Sequence, residues 1–343
     1  MKRTLIRYLF LIILLAAAGG ISFYYTIFIY KGVRTNDREI TLRITGDMLY
    51  EQVLDTLGKR LEIRNGKILK WVAEKKHYQD HIRPGRYVIE SDLSYNGLVN
   101  LLRSGSQTPV NVTFNNVRNI YSLAGKIGRQ IEADSSSIVA FLSDPSNYER
   151  DGFTTENVIA VFIPDTYQLY WNTSPSGFYS RMLREYNRFW EGQRQKRADS
   201  MKMSRIEVSI LASIIDDEVV RKEEKPVIAG VYINRLRKGI PLQACPSIKF
   251  ALNDFTITRV LNKHLEVDSP YNTYKYKGFP PGPIGCPTIE GIDAVLHAEK
   301  HDYLFFAARA DFSGYHNFST TLAEHNRYAA EYQRELDRRK IFR

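Results

Sequence analysis

The run Ser209-Ile210-Leu211-Ala212-Ser213-Ile214-Ile215-Asp216-Asp217-Glu218-Val219-Val220 reads as a helix that carries three acids where a core helix stays apolar. At about 100° per residue, Ile210, Leu211, Ile214 and Ile215 share one stripe, the face such a helix buries. Glu218 falls inside the stripe, about 40° from Ile214, while Asp217 sits at its edge and Asp216 on the opposite side. A carboxyl aimed at the apolar side loses the hydration of its charged form, so its pKa climbs towards that of a usable general acid. Glu218 is therefore the candidate proton donor. Periodicity alone also leaves a plainer reading open: a helix end, with Glu218 one turn past the core and solvated among its acidic neighbours.

Downstream come Val231-Tyr232-Ile233-Asn234-Arg235-Leu236, Pro241-Leu242-Gln243-Ala244-Cys245-Pro246-Ser247, Ser269-Pro270-Tyr271-Asn272-Thr273-Tyr274 and Gly278-Phe279-Pro280-Pro281-Gly282-Pro283-Ile284. In this order, after an Ala-Ser-Ile-Ile helix ending in Glu218, the series resembles the YceG-like family of endolytic murein transglycosylases. The resemblance covers essentially the whole chain past the N-terminal apolar run. The family's catalytic glutamate matches Glu218, so residue geometry and family pattern pick the same carboxylate. The sequence departs from the pattern at Asp216, where a first Glu is usual, at Cys245, where many members have Asp, and at Cys286, where Asn or Thr is common. Upstream, Ala160-Val161 stand in place of a Glu-Gly pair before Phe162-Ile163-Pro164-Asp165-Thr166-Tyr167.

At 343 residues, 43% hydrophobic and 25% charged, the chain is long enough for two domains and has an ordinary globular balance. Met1-Lys2-Arg3 and Arg7 precede an uncharged run from Tyr8 to Tyr30, about the length that spans a bilayer. Ala16-Ala17-Ala18-Gly19 has the look of a signal-peptidase site, but the apolar run continues through Ile21, Phe23, Ile27 and Ile29, too long for a signal sequence. The reading is an uncleaved, single-pass anchor in the bacterial cytoplasmic (inner) membrane, with the basic end inside and everything after Lys31 extracytoplasmic. The net charge of +10 suits an anionic partner. That topology, and the lack of a zinc, glycine-phosphate or RNP pattern, disfavour nucleic acid and point to cell wall with its peptide carboxylates. Seven histidines show no metal spacing, and His316 and His325 read as structural or rim groups.

The expected fold is α+β: a cytoplasmic tail (1–7), a transmembrane helix (8–30), a linker (31–39), a small α+β module (40–108) and a larger α+β catalytic domain (109–343). Ile40–Ile44 in the module and Val110–Phe114 just after it alternate as strands, and Ser94 caps a helix that stops at Gly105. The resemblance implies a LysM-like, glycan-binding module; a spacer holding the catalytic domain off the membrane is the alternative. In the second part, Tyr121 to Phe141 is helical, Tyr167, Tyr170 and Trp171 are sugar-stacking or core aromatics, and Phe178, Met182, Tyr186 and Phe189 recur at helical spacing. The charged stretch Gln193–Lys202 reads as a solvated loop. Pro226 and Gly239 bracket a helix.

A glycoside hydrolase needs two carboxylates at a set spacing, and one acid is well placed here. A lytic transglycosylase needs one, because the C6 hydroxyl of the MurNAc attacks its own anomeric carbon. The resemblance implies that Glu218 protonates the MurNAc–GlcNAc oxygen and then takes the C6 proton, leaving a 1,6-anhydro end and terminating a nascent strand, with no metal or organic cofactor and with peptidoglycan glycan strands and cell-wall synthases as partners. Asn234, Arg235, Gln243, Tyr271, Asn272, Thr273 and Tyr274 are the candidate substrate-binding groups, since rigid loops rich in amide and hydroxyl suit an amino-sugar chain. The rivals are a non-catalytic wall-binding or cell-wall-synthesis scaffold and a two-carboxylate muramidase using Asp217. Because Cys245 and Cys286 both replace non-cysteine family positions in separate site loops, a disulfide between them is one reading; two unrelated small buried thiols is the other, and the sequence leaves both open.

Overall fold

The computed structural model describes residues 2–35, 39–257 and 260–341. Residues 36–38 of the expected linker and Met1 of the expected tail lie outside the described residues. The chain divides into two compact units: residues 1–112 with 130–133 and 168–174, and residues 113–129 with 134–167 and 175–343. Both mix helix and sheet, and every sheet among the described residues is a two-stranded pair.

The first unit opens with α1 (Lys2–Tyr24), which continues through a π-turn at Tyr25–Ile29. Together, Arg3–Ile29 are long and apolar enough to cross a membrane. The linker expected after it is partly structured. Ile27 is buried, and β1 (Val33–Arg34) pairs with β3 (Glu62–Ile63), so Val33 is sealed in the core. Between them, β2 (Ile40–Ile44) runs antiparallel to β4 (Gly85–Ile89) with Leu42 opposite Tyr87. Alternation puts Leu42 and Ile44 inward, as the sequence pattern requires. Helices α2 (Tyr50–Arg60), α3 (Gly66–Lys75) and α4 (Tyr95–Ser104) close over that face with Val53, Leu57, Leu69, Val72, Leu98 and Leu102. As predicted, the Ser94 hydroxyl accepts from Gly97 N–H and Gly105 ends α4 at φ 72°.

Strands β5 (Val110–Phe114) and β6 (Asp165–Leu169) pair with each other. The second unit carries α5 (Ile120–Ile127), α6 (Ser135–Ser143), α7 (Pro175–Trp190) and α8 (Gln193–Met201). The last corrects the expected solvated loop: Gln, Arg, Lys and Ala are good helix formers, Ala198 is fully buried, and Lys202 ends the helix in the left-handed conformation. Then come α9 (Arg205–Glu218), α10 (Lys225–Arg237), α11 (Cys245–Ala251) and α12 (Ile289–Leu296). The antiparallel pair β7 (Phe305–Ala308) and β8 (His316–Ser319) and the surface helix α13 (Leu322–Arg338) complete it. Pro226 lies in the first turn of α10 and Gly239 follows its end at φ 63°.

Candidate active site

Helix α9 starts at a capping box in which the Ser204 hydroxyl accepts from Glu207 N–H and the Glu207 carboxylate accepts from Ser204 N–H. Every residue from Val208 to Ile215 is buried, so the helix is covered on all sides rather than along one stripe. Its serines show why. The buried Ser213 hydroxyl donates to Ile210 C=O and accepts from Ile284 N–H at 3.0 Å, fastening the proline-rich loop to the helix. In that loop Gly282 passes so close to the Glu156 carbonyl that a Cβ would overlap it.

The three acids at the end of α9 have three different environments. Asp216, expected to face away from the core, is instead turned into the start of α12. Its carboxylate accepts from Lys225 Nζ at 2.8 Å, Thr288 N–H at 2.7 Å and Thr288 Oγ1 at 2.9 Å, beside Gly291, where no side chain intrudes. Asp217 pairs with Arg118 Nη1 at 3.0 Å, and that guanidinium lies over the Phe255 ring. Glu218, the last residue of the helix, is half-buried, and among the described residues no side-chain or backbone group hydrogen-bonds its carboxyl. Burial pushes that carboxyl up to about 7; the Lys249 ammonium opposes the rise and the Asp217 charge adds to it. The negative end of the α9 dipole acts in the same direction as burial.

Around Glu218 gather Tyr232 of α10, Cys245 and Lys249 of α11, and Tyr274, which share its electrostatic field. Burial raises the Cys245 thiol and the Tyr274 phenol, whose Sγ and hydroxyl lie 3.2 Å apart. The Tyr232 hydroxyl is buried with no partner among the described residues.

The remaining predicted site residues fall into two groups. Asn272 is fully buried: its Nδ2 donates to Leu265 and Val267 carbonyls at 2.8 Å, and its Oδ1 accepts from Tyr274 and Lys275 N–H. Thr273 Oγ1 accepts from Ala244 N–H and shares a bond with Ser247 Oγ. Asn234 donates to His301 and Tyr303 carbonyls, and the buried Arg235 donates to Pro241 and Leu304 carbonyls and to Gln243 Oε1. These four are spent inside the protein: Asn234 and Arg235 tie loops to α10, and Asn272 and Thr273 tie their own loop to residues 265–267 and to the start of α11. By contrast Gln243 is exposed, at φ 55°, and Tyr271 and Tyr274 are half-exposed, Tyr271 against Phe250. Sequence reasoning missed Lys225, Thr288, Ser247 and Lys249. The Ser213 position was visible only as part of a motif.

Cys245 and Cys286 are both free, which decides against the disulfide and for two separate thiols. Cys245 faces Tyr274, whereas Cys286 is buried with its Sγ towards the Ile159 carbonyl at 3.8 Å and its N–H on Val117 C=O. His316 Nδ1 lies 2.7 Å from the buried Glu224, and His301 Nε2 lies 2.8 Å from Val227 C=O, both structural positions. Among the described residues no group of three or more His, Cys, Asp and Glu side chains is gathered as metal ligands would be.

A helix covered on all sides, ending in one unpaired carboxyl under loops of fixed geometry, is the frame of a single-acid site. The sequence pattern of the YceG-like family matches residues 42–331, and the chain belongs to that family. It is 27% identical over 312 residues to the endolytic murein transglycosylase of Bacillus subtilis, covering 85% of this chain and 84% of that one. To the endolytic murein transglycosylase of Streptococcus pneumoniae serotype 2 it is 24% identical, covering 96% of this chain and 65% of the pneumococcal protein, so it spans about two thirds of that relative. The crystal structure of a YceG-like protein from Listeria monocytogenes matches 84% of this chain and 98% of its own at a TM-score of 0.56 and 25% identity.

Proposed function

We propose that the chain is an endolytic peptidoglycan lytic transglycosylase in which Glu218 is both general acid and general base. The observation that carries this is the contrast among three neighbouring acids: Asp216 and Asp217 are held by cations, and Glu218 alone is desolvated and unpaired. At neutral pH a carboxyl of this kind still holds its proton for a good part of the time, which a carboxylic acid in water does not. It protonates the glycosidic oxygen between MurNAc and GlcNAc. As the C1–O bond breaks, the MurNAc C6 oxygen bonds to C1 and its proton passes to the Glu218 carboxylate. The product carries a 1,6-anhydro end, no water is consumed, and the acid is restored. The likeness to the endolytic murein transglycosylases of Bacillus and Streptococcus supports the same reaction class.

Gln243, Tyr271 and Tyr274 are assigned as the groups that meet the sugar; Arg235, Asn272 and Thr273 hold the loops that carry them, and Asn234 ties α10 to the segment before β7. The α+β module of the first unit is assigned as the LysM-like glycan-binding part, and residues 109–343 as the catalytic part. The apolar helix is assigned as a single-pass anchor with the catalytic part outside, because the basic residues precede the span. Purified glycan strands incubated with the full chain should yield 1,6-anhydro-MurNAc ends by mass spectrometry. Reducing ends would make it a hydrolase, and uncut strands that still bind would make it a scaffold.

A further inference from the structure

The end of the apolar helix does not dangle from the first unit; it is built into it. The π-turn closes with Tyr30 N–H on Tyr25 C=O at 2.8 Å, and Ile27 from that turn enters the core beside Val33. The turn and the residues flanking it form an aromatic band, Phe23, Tyr24, Tyr25, Phe28 and Tyr30, of the kind that sits at headgroup depth. From α3, Trp71 reaches this band and meets Phe23 edge-on, ring centroids 5.1 Å apart. Trp71 is 39% exposed and Phe23 55%, unusual for large aromatics unless something covers them. Between them lies a cleft of about 210 Å³ floored by Phe23, Ile27, Ile68 and Trp71 and rimmed by Thr26, Asn65 and Lys67.

Charge follows the same arrangement. Helix α3 exposes Lys67, Lys70 and Lys75 against one acid, Glu74. Lys70 is held by Glu51 and Lys75 lies over the Trp71 ring, whereas the Lys67 ammonium makes no ion pair or hydrogen bond among the described residues. An apolar floor continuous with a membrane-spanning helix, with an unpaired cation at its rim, is the chemistry that takes a lipid chain below and its phosphate above.

We propose that this cleft is a phospholipid site: an acyl chain of the outer leaflet lies against Phe23, Ile27, Ile68 and Trp71, and an anionic headgroup rests on Lys67. The first unit is thereby seated on the membrane surface by α3 rather than held off it on a tether. The inference rests on the apolar helix being the membrane anchor assigned above and is independent of the reaction assigned to Glu218.

The test uses the full chain in vesicles whose phosphatidylcholine or phosphatidylglycerol carries bromine high on the acyl chain. Brominated lipid should quench part of the fluorescence of the three tryptophans, and that part should vanish in Trp71→Phe. Brominated phosphatidylglycerol should quench that part more strongly than brominated phosphatidylcholine at equal mole fraction. Enrichment of the anionic lipid at the cleft should be about fivefold, the effect of one Lys at a membrane surface, and Lys67→Glu should abolish it. Quenching that Trp71→Phe leaves unchanged, as when a second protein fills the cleft, overturns the proposal. So does equal quenching by the two lipids in the unsubstituted chain, or a preference that Lys67→Glu leaves intact.

Discussion

The Asp216 carboxylate and the Lys225 ammonium lie 2.8 Å apart with 14% and 9% of their side chains exposed, and Thr288 completes the carboxylate's bonds. An acid next to a candidate catalytic glutamate is thus a structural tie between α9, α10 and α12. Asp216→Asn should leave the largely buried Lys225 with only the more distant Glu290 carboxylate, 3.8 Å away, and cost about 1.5 to 3 kcal/mol in denaturant unfolding. Turnover per folded molecule should stay near that of the unsubstituted chain. A variant of full stability and abolished turnover would reverse the assignment.

Glu218 binds its proton more tightly folded, at about 7, than in the usual range near 4.5. Between those values the native state holds the extra proton, so this group makes stability fall as pH rises through the window and then level off. Glu218→Gln removes that loss. Its stability should match the unsubstituted chain near pH 4 and exceed it by roughly 3 kcal/mol above pH 7. The same change should lower strand cleavage by about 10² to 10⁴-fold. In the unsubstituted chain the acid-dependent rate should decline above pH 7, which a pH–rate profile of anhydro-end formation reads directly.

Gly282 leaves no room for a Cβ against the Glu156 carbonyl, and its loop is fastened by Ile284 N–H on Ser213. Gly282→Ala should push the loop outward and destabilise by about 1 to 3 kcal/mol, in the range of core overpacking. Ser213→Ala should cost a similar amount by leaving a buried N–H unsatisfied. Thermal unfolding distinguishes both from a neutral surface change.

With both cysteines free, reductant should leave the unfolding midpoint unchanged, and intact-mass measurement after alkylation of unfolded, unreduced protein should count two thiols. In the native state Cys286, buried and raised in pKa, should alkylate more slowly than the half-buried Cys245.

Cutting the chain at Lys31 removes Ile27, which is only 3% exposed within the first unit's core. A chain starting at Lys31 should therefore be less stable than one starting at Tyr24 by about 1.5 to 3 kcal/mol, the value of a fully buried Ile. Equal midpoints would mean that Ile27 contributes nothing to that core.

The sequence by itself determined the elements whose signals are local. Ser94 and Gly105 bracket α4, Pro226 and Gly239 bracket α10, and the acids close α9, because caps and periodicity act within a few residues. Periodicity also put Glu218 apart from Asp216 and Asp217. It reports the faces of one helix, however, and cannot report what covers each face. Only the tertiary structure brought Lys225 and Thr288, 9 and 72 residues along the chain, onto Asp216, so the face read as outward became an interior one. The same holds for the amide- and hydroxyl-bearing loops. Asn272 and Thr273 look like sugar-binding groups in sequence, but their hydrogen bonds close within the protein, Asn272 on the Leu265 and Val267 carbonyls and Thr273 on the Ala244 N–H, groups that need partners where water is excluded. Which polar residue faces substrate and which holds the loop that does is decided by burial, a property of the assembled chain.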